Sequence, residues 1–89
     1  MTSGWLSEAL RPGEFLVAYD YGMGGLWGVL IAPSREAVLA KYPELGVVDA
    51  APRWMTRSDV ARYREAPLWL NDDPPQGLPK ALVSDRARD

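Results

Sequence analysis

Four groups of side chains in this sequence have types and spacings that could do chemistry. The first is a glycine-rich stretch, Asp20-Tyr21-Gly22-Met23-Gly24-Gly25, set between two apolar runs. Glycine lets a backbone turn sharply or approach a ligand closely. As a ligand loop, its candidate residues are Tyr19, Asp20, Tyr21, Gly22, Gly24 and Gly25. The spacing does not suit a dinucleotide. Gly22, Gly24 and Gly28 give G-x-G-x-x-x-G, one residue too long, with Trp27 where the third glycine should stand. No helix follows directly to offer its N-terminus to a pyrophosphate, and no Gly-Lys-Ser/Thr is present. A turn between two strands is the simpler account, with Gly28 as a close-packing position.

The second group is Arg53, Arg57, Arg62 and Arg64, interleaved with Trp54 and Tyr63. Arginines among aromatics can hold phosphates and stack bases. On a helix, however, positions 57 and 64 lie about two turns apart and 62 lies well round from both. The formal net charge is −2, which disfavours a nucleic-acid partner. Local pairing with Asp59 and Glu65 accounts for these residues more simply.

The third group is the carboxylates Asp20, Asp72 and Asp73. Paired acids can bind Ca²⁺ or act as acid and base. The EF-hand spacing is absent, and turn chemistry explains all three. The chain has no His and no Cys, which removes the commonest general base and the usual transition-metal ligands. The expectation is no catalytic residue, no metal and no cofactor.

The fourth group is aromatic. Phe15, Tyr19 and Trp27, joined by Trp54 and Trp69, could form an interaction surface, because exposed aromatics are enriched at protein contacts. The leading expectation is therefore a non-catalytic accessory or protein-interaction module. Its partner would be another protein or a second copy of itself docked on an apolar sheet face. The alternatives are nucleic-acid binding at the arginines and a ligand or enzyme site at the glycine turn.

The elements that must position these groups follow from the pattern. Eighty-nine residues, 47% of them hydrophobic and 25% charged, suit one small globular domain rather than a disordered chain. The expected class is α+β, in the order α-β-β-α-β-α with an extended C-terminal arm. A short helix over Ser3 to Leu10 ends at Arg11-Pro12-Gly13. Strands over Glu14–Asp20 and Leu26–Ala32 must form an antiparallel hairpin, because a parallel return needs a crossover of a dozen residues or more. A five-residue loop over Tyr21 to Gly25 sets Tyr19 opposite Trp27 and gathers Phe15, Val17, Tyr19, Trp27, Val29 and Ile31 on one face. A four-residue loop shifts that parity. Under either register both faces are apolar, and both need a cover.

Ser34 caps a second helix that ends before Pro43. Leu45 to Ala50 reads as a third strand. Thr56 and Asp59 form a capping box for a third helix ending before Pro67. The domain spans 1–83, including an extended arm over 66–83 in which Leu68 to Leu70 make an edge strand and Leu78 to Val83 a short helical turn. Residues 84–89 read as a solvated end. No run approaches the ~20 apolar residues of a membrane span. The opening MTSGWLSEALRPGE has no basic stretch ahead of an apolar one. The expected location is the cytoplasm, without a membrane anchor.

Overall fold

A computed structural model describes residues 5–20 and 25–87 of the chain. At its centre is the expected hairpin. Strand β1 (Glu14–Asp20) pairs antiparallel with β2 (Gly25–Ile31), from Glu14↔Ile31 through to Asp20↔Gly25. Gly25 belongs to the strand, so four residues rather than five separate the paired ends. Side chains alternate with period two, so this one-residue difference carries Trp27 to the other face. Ala18 now faces Trp27, and Val17 faces Gly28. Phe15, Val17 and Tyr19 share a face with Leu26, Gly28 and Leu30. Leu16 and Ala18 share the opposite face with Trp27, Val29 and Ile31.

Strand β3 (Gly46–Val48) lies antiparallel beside β1, and β4 (Leu68–Trp69) runs parallel to β2 opposite Leu30 and Ile31. The sheet order is β3-β1-β2-β4. Four helices surround it: α1 (Trp5–Ala9), α2 (Arg35–Lys41), α3 (Arg57–Glu65) and α4 (Gly77–Ala87). The chain steps from β2 past β1 to one edge through α2. It then crosses back to the far edge through α3. Two crossovers of one hand that step in opposite directions must place their helices on opposite faces.

The cores obey this. On the Phe15 face, buried Val17, Tyr19 and Leu30 pack with Val38 of α2 and Leu78 and Leu82 of α4. On the Leu16 face, Leu6 of α1 and Val60 of α3 close over Leu16 with Met55. The second apolar face, for which the N-terminal helix, the C-terminal tail and another copy were the candidate covers, is thus covered by the chain's own α1 and α3. The result is a small single-domain α+β fold with a mixed four-stranded sheet.

Local chemistry sets the helix starts. The Ser34 hydroxyl accepts from the Ala37 N–H at 3.0 Å. At α3 the Thr56 hydroxyl accepts from the Asp59 N–H at 3.2 Å, while the Asp59 carboxylate accepts from the Thr56 N–H at 2.8 Å. That N–H first, and the Arg62 guanidinium second, hold the Asp59 carboxyl below its ordinary pKa. Replacing Thr56 with Ala should cost about 1 kcal/mol of stability, the usual value of such a cap. Urea unfolding would read this, and an unchanged midpoint would show that the box does not hold α3.

The C-terminal arm differs from expectation. Its edge strand forms as β4, but α4 extends from Gly77 to Ala87 and takes up most of the expected solvated end. Pro79 is its third residue, where a missing N–H leaves no intrahelical bond unmade, so this proline does not break the helix. The last turn is also tied down. The Tyr19 hydroxyl donates to Asp85 at 2.6 Å, and Arg86 pairs with Glu44. Ser3, the expected cap of α1, lies outside the described residues.

Candidate functional site

The register divides the expected aromatic surface. Phe15 and Tyr19 lie beneath α2 and α4, and Tyr19 is buried with its hydroxyl on Asp85. Trp69 is exposed on β4 at the sheet edge. Only Trp27 and Trp54 come together, edge to face, with ring centroids 5.7 Å apart. Trp54 is 59% exposed, while Trp27 is half-buried against the Leu16 core.

The arginines do not converge. Arg57 pairs with Glu8 at 3.2 Å and lies 5.5 Å from the centre of the Trp5 ring, joining α3 to α1. Arg62 pairs with Asp59 one turn back on its own helix. Arg64 donates to Glu14 at 2.9 Å, anchoring the end of α3 to the start of β1. Arg53 is exposed and makes no ion pair among the described residues.

Glu14 shows what this anchoring does to a carboxyl. Burial pushes its pKa up, but the Arg11 N–H at 2.8 Å and the Arg64 guanidinium outweigh it, so the pKa lies below its ordinary 4.5. A carboxyl lowered by folding adds stability above its unfolded pKa and loses it as pH falls through the folded value. Glu14→Gln should therefore cost about 1–2 kcal/mol at neutral pH and flatten the acid limb of the stability curve below about pH 4.5. Urea unfolding between neutral and acid pH tests this. Parallel curves for variant and parent would refute it.

At the glycine turn, Tyr21, Gly22 and Gly24 lie outside the described residues. Tyr19 points into the core, Asp20 is exposed and not without a partner, and Gly25 is a strand residue. Among the described residues no cluster of three or more acids is placed to hold a metal ion. No described helix is long and apolar enough to cross a membrane.

Two grooves remain. One, of about 350 Å³, opens between α1 and β3. Of its charged lining residues, Arg35 pairs with Asp49 at 3.2 Å and Glu14 with Arg64, and Arg11 stands beside them. Arg35 also donates to the Val47 carbonyl at 3.3 Å, so its guanidinium occupies the outer edge of β3.

The second groove, of about 300 Å³, runs along the outer edge of β2 between α3 and α4. It is lined by Leu26, Trp27, Gly28, Arg62, Tyr63, Ala66, Leu68, Gly77 and Leu78. Leu68 forms its closed end, fitted between two glycines. A Cβ on Gly28 would lie 3.2 Å from one Leu68 methyl, and a Cβ on Gly77 2.8 Å from the other. Gly77 also has φ +58°, which favours glycine. These glycines let α4 and β4 approach β2, and the groove begins where β4 ends. Sequence reasoning marked Trp27, Trp54 and Arg62 but missed this groove. Its walls come from four elements, and the sequence carries no local sign of it.

The chain matches no protein-family model, and neither a curated protein nor a solved structure matches it. The groove's own geometry therefore carries the functional reading.

Proposed function

We propose that this protein is a non-catalytic interaction module that takes a partner segment into the groove beside β2. The observation that carries this reading is the pair formed by Trp27 and Trp54. Trp27 lines an open apolar groove, and Trp54 stands edge-on against it with more than half its surface in water. A large exposed indole costs solubility and is typical of interface anchors. The covered sheet faces support the same reading, since they direct any partner to an edge.

A photo-crosslinking residue at Ala66, on the groove wall, tests the proposal in the source cell. It should give a discrete adduct that is absent when the same residue stands at exposed Glu36 on α2, across the molecule. Trp54→Ala should remove the adduct without unfolding the domain, because the lost edge contact is worth only about 0.5–1.5 kcal/mol. The same background from both crosslinker positions would overturn the proposal.

A further inference from the structure

The groove presents an unpaired sheet edge as well as apolar side chains. The Ile31 carbonyl accepts from the Leu70 N–H at 3.0 Å, so the main-chain groups of Ile31 point towards β4. The Ala32 N–H donates to the Gly13 carbonyl at 3.0 Å, so the next residue points towards β1. Main-chain groups alternate along a strand. Val29 and Trp27 therefore direct theirs to the same side as Ile31. Strand β4 reaches only Leu30 and Ile31, and it is preceded by Pro67, which has no N–H to extend the ladder. Both main-chain groups of Trp27, which lines the groove, thus face it, while Val29 is fully buried. Among the described residues, no bond from a turn, loop or side chain reaches them.

Resting on the interaction-module reading, we infer that this groove binds an extended peptide segment, which adds a strand to β2 where β4 leaves off. Three observations favour this occupant. The open edge is continuous with the β2–β4 pairing and in line with it, so an added strand finds donors and acceptors at ladder spacing. The trough has walls, Tyr63 of α3 and the adjoining Ala66 on one side and Gly77 and Leu78 of α4 on the other. A single strand fits between them, whereas a second copy would bring wall against wall and Arg62 towards Arg62. Charge also selects the sequence. Arg62 is the charged residue among the nine that line the groove, and its pairing with Asp59 is surface-exposed, with 70% of the arginine side chain in water. Such a pair contributes little, so the guanidinium can turn to a ligand. The segment is thus short, apolar at alternate positions and flanked by an acidic residue. Its alternate side chains meet Leu26, Leu68 and Leu78 on one side of the strand and Trp27 and Tyr63 on the other.

Short random linear peptides displayed on phage and panned against the full chain provide the probe. The expected result is enrichment of alternating apolar sequences carrying Asp or Glu. A synthetic copy of an enriched peptide should slow hydrogen exchange at the Trp27 amide. N-methylation of one strand-facing amide of that peptide should weaken binding about five- to tenfold. Arg62→Glu, at an exposed site, should weaken it by a similar factor. No enrichment over an unrelated control protein would overturn the inference. Unchanged exchange at Trp27, or equal binding by the N-methylated peptide, would do the same. A crosslinked adduct at position 66 without peptide binding would leave the interaction module standing and remove strand addition.

Discussion

Replacing Leu16 with Ala should lower the unfolding free energy by about 2–5 kcal/mol, the range for a fully buried leucine. Leu16 has no exposed surface and lies on β1, an interior strand of the sheet. The cost is large because Leu16 is where α1 and α3 meet the sheet, through Leu6, Met55 and Val60. α1 is a helix of five residues, too short to persist without that contact. A domain of this size has a total stability of roughly 5–13 kcal/mol, so one side chain carries a large share of it. Guanidinium unfolding should show a lower midpoint with an unchanged slope. A loss smaller than about 1 kcal/mol would mean that the cluster relaxes into the space, and that Leu16 does not organise it.

A similar loss, about 2–5 kcal/mol, is expected for Leu82→Ala. Leu82 is 1% exposed and packs with Tyr42, Leu45 and Leu78 on the opposite face. The two variants should differ in where the structure opens. Proteins open in cooperative units that follow local packing. Hydrogen exchange should therefore quicken first in α4 and α2 for Leu82→Ala, and first in α1 and α3 for Leu16→Ala. Uniform acceleration in both variants would show that the two cores do not open separately.

Where the signal was local, the sequence was legible. Ser34 before an apolar helix and Thr56 three residues before Asp59 carry the chemistry of helix starts, and both caps form. The hairpin was legible because two apolar runs so close together in sequence can only return antiparallel. Its register was not. Gly25 can end a turn or begin a strand, and the outcome depends on pairing along the whole ladder down to Glu14 and Ile31. That one residue moved Trp27 away from Phe15 and Tyr19, and so broke up the expected aromatic face.

The arm was expected to hold only a short helical turn over Leu78 to Val83; the helix runs on to Ala87, and Pro79 at its third position breaks nothing. Arg57–Glu8 and Arg64–Glu14 join residues 49 and 50 positions apart, a distance over which neighbouring residues carry no information. The groove depends on Gly28, Leu68 and Gly77 meeting, and each belongs to a different element.

The position of the hairpin at the middle of the sheet has a consequence for synthesis on the ribosome. The β1–β2 pair is complete once Ile31 has emerged, and a hairpin closes within about 1–10 μs. Leu82, which seals the Phe15 face, arrives some 50 residues later. At roughly 5–20 residues per second, that face waits about 3–10 s for its last helix. The Leu16 face is closed sooner, when α3 brings Val60. Until α3 arrives the nascent chain displays a two-stranded ribbon with apolar side chains on both surfaces, and from then until α4 arrives it displays them on the Phe15 face, the kind of surface that chaperones recognise.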